Sequence, residues 1–279
     1  MHSLGHTRSA NKRDHLLQTP DTFVRTPLPG LTKGAAIVHI SSAAGAAFTQ
    51  YTVEFETGGS LAPAEGQRFV YVLAGEINLT SQKLPGAKRP ALTAEQRQML
   101  QSLFGDMAAL DRRHSLGAGR YVYFPPASTF AIVARSAARI VVIEKPYQPL
   151  EGIAVPQLLL GRETDIASTA LNGDSDLQVR ALLPDSPSFD FAVNTMTYQP
   201  GASLSQVEVH VMEHGLLMLE GGGIYRLNDA WYPVAAGDFI WMAPYCPQWF
   251  GALGKQPAKY LIYKDWNRHP LGEGPRLTA

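Results

Sequence analysis

Within the stretch SQVEVHVMEHGLLMLEGGGIYRL, residues 205–227, a carboxylate and two imidazoles fall inside seven positions: Glu208, His210 and His214. The carboxamide of Gln248 follows GDFIWMAPYCP. Together these donors make a fairly hard shell without sulfur, suited to an octahedral divalent ion with two open positions rather than to closed structural zinc. Ligand type alone leaves iron, nickel and zinc open. An isolated histidine or glutamate is ordinarily a packed or solvated side chain. It is the grouping that points to a metal.

The spacing also constrains the backbone. Side chains alternate along an extended strand, so Glu208 and His210 project to one side, whereas in a helix they would diverge by about 200°. His214 shares their parity, but so does Met212, and an unbroken strand would aim a thioether at the ion. A bend between them is the alternative. Glu213 has the opposite parity and points away unless the strand bends. Glu220, beside the glycine turn, reads as an exposed hairpin charge. Trp231, Trp241 and Trp249 read as packing of a barrel or a subunit contact, with Trp249 next to Gln248.

The chain around these residues has 279 positions, 45% hydrophobic and 17% charged, so it is expected to fold throughout. Lys plus Arg and Asp plus Glu are 24 each. With no net field, nucleic acid and anionic membrane are disfavoured as partners. Cys246 is the only cysteine, which excludes an intramolecular disulfide or a thiolate-rich metal site; it reads as a small buried hydrophobe. The segment MHSLGHTRSANKRDHLLQTPD lacks an apolar core, and no run approaches membrane-spanning length. A cytoplasmic protein is expected.

The elements that must position the donors come twice. FVYVLAGEINL at 69–79 aligns with GLLMLEGGGIYRL at 215–227, AGRYVYFPPASTF at 118–130 with AGDFIWMAPYCPQ at 236–248, and ARIVVIEKPYQPLEG with AKYLIYKDWNRHPLGEG. Short runs rich in Val, Ile, Tyr and Phe, separated by Gly, Pro, Asn and Asp, predict an all-β protein of two jelly-roll barrels. The lobes are assigned to residues 1–160 and 161–279. The first carries an extra stretch at about 81–117. Within it TAEQRQMLQSLFGDMAALDRRH predicts a helix, with Thr93 as N-cap and Gln96 completing a capping box.

The run from Gly201 through Glu208-x-His210, three residues, His214, six residues and Gly221 resembles the first cupin motif with its letters permuted, glutamate first and histidine last. With Gln248 where the second motif usually supplies histidine, the chain resembles the bicupin family of (S)-ureidoglycine aminohydrolases of purine catabolism. The likeness runs on through EGGGIYRLNDAWYPVAAGDFIWMAPYCPQWFGALG and YLIYKDWNR and covers most of the chain.

That resemblance implies one Mn²⁺ per chain in the second lobe, held by Glu208, His210, His214 and Gln248. It implies release of ammonia from (S)-ureidoglycine, a small-molecule substrate, and assembly into a homo-oligomer. Glu208 and Lys264 would be catalytic, and Tyr225, Tyr260 and Lys264 would contact substrate. Tyr260 and Lys264 differ by four, an even step that lets both face the barrel interior. In the first lobe the aligned positions are Ala62, Ala64, Arg68 and Phe130, with Glu144 in the place of Lys264. No metal is expected there. A metal-dependent oxygenase or isomerase, or a storage bicupin that turns nothing over, are the competing readings, and metal analysis separates the last.

Overall fold

The computed structural model describes residues 6–81 and 115–268. The helix predicted at 93–114 lies outside them. Among the described residues are twenty strands. In chain order they are β1 (Ala10–Asn11), β2 (His15–Gln18), β3 (Leu31–Ile40), β4 (Thr49–Leu61), β5 (Gln67–Ala74), β6 (Glu76–Ser81), β7 (Ser115–Gly117), β8 (Arg120–Phe124), β9 (Phe130–Ala134) and β10 (Ala138–Lys145). Then follow β11 (Leu159–Arg162), β12 (Thr169–Leu171), β13 (Asp174–Ala181), β14 (Phe191–Tyr198), β15 (His214–Glu220), β16 (Gly222–Leu227), β17 (Ala230–Ala235), β18 (Phe239–Met242), β19 (Gln248–Ala252) and β20 (Ala258–Asp265). No helix among the described residues is long and apolar enough to cross a membrane.

The strands form the predicted all-β architecture. One sheet runs β11-β8-β5-β10-β4-β9-β6-β7 with β3 added on β4; a second runs β1-β2-β18-β15-β20-β14-β13-β12, and β17-β16-β19 makes a third. Two pairings cross between the lobes as assigned from sequence. β2 adds to β18, with His15 opposite Met242, and β11 runs across position 160 to pair with β8.

Side-chain parity sorts the core into three bodies. Val53, Val70, Val122, Ile140 and Val142 fill the first lobe; Leu216, Met218, Tyr225, Phe250 and Tyr260 fill the second. Between them lie Phe48, Phe69, Tyr123, Phe191, Leu217, Trp241, Leu261 and Tyr263. Central strands therefore bury both faces, which is why GLLML and YLIY read as continuous apolar runs rather than alternating ones. The third sheet has one outer face, and β16 alternates accordingly: Tyr225 and Leu227 are buried, Ile224 and Arg226 partly exposed. Asn228 takes φ 55° at the hairpin that follows, a conformation asparagine tolerates better than most residues.

The repeat is carried in the register. His214 stands opposite Lys264 on β15 and β20, and Arg68 stands opposite Glu144 on β5 and β10, the correspondence that the aligned sequences give.

Candidate metal centre

Glu208 and Gln248 are tied by a reciprocal backbone pair, Glu208 N to Gln248 O at 2.8 Å and Gln248 N to Glu208 O at 2.9 Å. This isolated bridge extends β19 by one partner and sets the carboxylate and the carboxamide side by side. Past Glu208 the chain leaves the ladder, bends at Val211–Met212 and re-enters as β15 with His214. The bend answers the parity problem. His214 comes beside His210 without an uninterrupted strand carrying Met212 between them.

The donors form a half-open group. Glu208 and His210 are partly exposed and touch, carboxylate Oε2 to imidazole Nε2 at 3.1 Å. The His210 and His214 rings are 5.5 Å apart and nearly perpendicular. His214 and Gln248 are buried. Neither ring nitrogen of His214 has a hydrogen-bond partner, although a buried polar atom normally finds one. Burial, helped by His210 and Lys264 and opposed by the Tyr263 backbone and Asp265, pushes its pKa down to about 3. The imidazole is thus neutral at physiological pH, the form that binds a metal. A neutral imidazole without a partner, packed edge-on to a second imidazole that touches a carboxylate, has the donor chemistry that a divalent ion takes.

The other site residues lie on the same interior face. Tyr225, from β16, donates its hydroxyl to Gln248 Oε1 at 3.1 Å and so orients the carboxamide. Tyr260 is fully buried, its hydroxyl 2.7 Å from that of Tyr198. Burial holds the Tyr225 and Tyr260 hydroxyls protonated, with Glu208 adding to the effect on each. Lys264 lies across the strand pair from His214. Its ammonium rests over the Trp266 ring, 4.3 Å from the centroid, and burial lowers its pKa against the pull of Asp185 and Glu208. Tyr198 and Trp266 carry no such signal in the sequence. A tyrosine on an apolar strand also reads as core, and Trp266 falls just beyond β20.

Glu213 faces away even though the strand bends, because it directly precedes His214 and takes the opposite side of the chain. Its Oε2 accepts Ala47 N at 2.9 Å and its Oε1 accepts the Trp241 indole at 2.7 Å. Two further features compete with this centre. Asp14, His15 and Cys246 bring potential ligand atoms within 4.8 Å of one another. However, both His15 nitrogens are engaged, by Asp14 and by Tyr232, and burial raises the Cys246 thiol to about 11, away from the thiolate a metal needs. A cavity of about 1160 Å³ opens instead at the first lobe, beside Tyr51, Arg68 and Glu144. There the counterpart of His214 is a guanidinium, held by Glu144 at 2.6 Å and by the Ala62 carbonyl at 2.7 Å. A guanidinium has only donors, so Arg68 cannot serve as a ligand in the place of His214.

Two barrels built from one repeat define a bicupin, and residues 194–263 match the family model described as Cupin domain. The chain belongs to the (S)-ureidoglycine aminohydrolase family. It is 38% identical to the (S)-ureidoglycine aminohydrolase of Arabidopsis thaliana over 96% of its length and 80% of that protein. With the enzyme of the same name from Escherichia coli it shares 29% identity, over 90% of this chain and 88% of that one. A crystal structure of the protein Ylba from E. coli superposes with a TM-score of 0.75 at 27% identity, covering 94% of this chain and 95% of that one.

Proposed function

We propose that the protein is an aminohydrolase that releases ammonia from (S)-2-ureidoglycine to give (S)-ureidoglycolate in purine breakdown, using one Mn²⁺ held by Glu208, His210, His214 and Gln248 in the second lobe. The observation that carries the metal is His214, buried, neutral and without a partner for either nitrogen; the family carries the substrate. A bound divalent ion would activate water and stabilise charge at the reacting carbon without redox change.

The chain's own residues set the rest. The Lys264 ammonium, partly desolvated over Trp266, is the cation for the substrate carboxylate, worth more there than in water. Tyr225 fixes the carboxamide of Gln248. Tyr260 and Tyr198 form a neutral hydroxyl pair that can donate to or accept from the ureido group. Glu208, partly exposed, borders the solvent side. Assembly into a homo-oligomer belongs to the same proposal, supported by Val209 and Trp231, which leave more than half their surface exposed on the second lobe.

The deciding experiment is ammonia release from enzymatically generated ureidoglycine, with and without Mn²⁺. Metal-dependent release is expected; none would remove the proposal.

A further inference from the structure

The first lobe holds none of the metal donors, yet it reaches the strand ends that carry them. His214 and Lys264 face the second barrel's interior, so their neighbours Glu213 and Asp265 face the first lobe. Glu213, Asp265 and Lys145 are all buried. Here the backbone ladder is thin: the bond from Asp265 N to Glu213 O is 3.4 Å long. Side chains complete it. The Asp265 carboxylate accepts Glu213 N through Oδ2 at 3.3 Å, and its Oδ1 accepts the Tyr263 hydroxyl at 2.8 Å and Lys145 Nζ at 3.0 Å. Lys145 also donates to Asp190 O at 3.2 Å and lies 3.9 Å from that carboxylate. Asp190 is held further by Gln67 and by Gln148 N.

Lys145 and Asp265 are the last residues of equivalent eight-residue strands, β10 and β20. The repeat has thus placed opposite charges at one position and made them the contact between lobes.

From this geometry we propose that Lys145 is a positioning residue for the metal centre, a reading that rests on Glu208, His210, His214 and Gln248 being the ligands. One peptide unit joins Glu213 to His214 and another joins Lys264 to Asp265, so an anchor behind the sheet fixes the side chains in front of it. Removing the ammonium leaves two buried carboxylates without their cation. Asp265 then turns, releasing Glu213 N, and the entry into β15 moves with it. Groups that orient metal ligands from outside the coordination shell typically contribute about 10–100-fold in affinity.

The test is a titration of the full-length protein with Mn²⁺, following free ion by electron paramagnetic resonance. Lys145→Met should weaken binding about tenfold or more, with kcat at saturating Mn²⁺ within about threefold of wild type. Lys145→Arg, which restores a buried donor cation, should return the affinity to near wild type. Asp265→Asn keeps the shape and the Oδ1 acceptor but offers Glu213 N no second oxygen. It should weaken binding similarly, and it carries the test if Lys145→Met does not fold. Wild-type affinity in the folded variants, or a loss that Lys145→Arg does not restore, overturns this inference alone. Wild-type protein that holds no divalent ion removes the ligand assignment and this inference with it.

Discussion

Lys264 and Glu144 occupy one position of the repeat with opposite charges, and the residue across the strand pair decides what each does, His214 in one lobe and Arg68 in the other. Glu144 neutralises a guanidinium; Lys264 has no carboxylate within 4.0 Å among the described residues, which in the proposed reading leaves its charge for a ligand. Lys264→Met should therefore lower kcat/KM by roughly 2–4 kcal/mol of transition-state binding, chiefly through an unpaired carboxylate, while metal content stays near wild type. A loss under about threefold would return Lys264 to a solvated strand-end charge. A second expectation concerns His39, which bonds Gln18 and Thr52 and stacks on Phe239. Burial, with a smaller push from Arg139, holds its pKa down to about 3, against about 6.5 when unfolded. Below pH 6.5 the unfolded chain binds the extra proton, so this stabilisation is complete above about 6.5 and is lost progressively as pH falls toward 3. His39→Gln should flatten the fall in melting temperature between pH 7 and 4; an unchanged slope would exclude the role. Parity put Glu208 and His210 on one side, and a bend before His214 was one of two courses left open by the sequence; the choice between them was not legible, since nothing local in Val211–Met212 specifies it.

Among the strands, β15 shows how tightly the lobes are fitted. A Cβ on Gly215 would come within 2.6 Å of the Phe48 ring and 2.5 Å of the Gln50 carboxamide, both from the first lobe. Gly215→Ala should cost about 1–3 kcal/mol by overpacking, read as a lower denaturant midpoint. An unshifted midpoint would show that Phe48 and Gln50 yield freely. The strands of each barrel were readable from β-branched and aromatic runs punctuated by Gly and Pro, and the duplicated order from their spacing. The partners of β2 and β11 were not. Strand pairing is chosen by non-local packing, and HLLQ at 15–18 carries no mark that its neighbour is FIWM at 239–242. Lys145 is illegible for the same reason, since its value lies in Asp190 and Asp265, both distant in sequence.

For the whole molecule, Arg68 supports one ion per chain, because its charge sits where the second lobe has His214. Elemental analysis of the purified protein should give a single divalent ion, lost in His210→Ala; two ions, or a loaded variant, would contradict the ligand assignment. The exchange of edge strands bears on how such a chain comes to exist at all. The sheet that carries His214 is extended at β18 by residues 15–18, which precede the whole first barrel in the chain. During translation that segment emerges long before its partner, and the first barrel can form while β2 still waits. The second lobe expressed alone would leave β18 as an open, apolar edge, a template for pairing between copies. The two barrels are therefore not exchangeable modules: neither can be moved to another protein without taking a strand from the other.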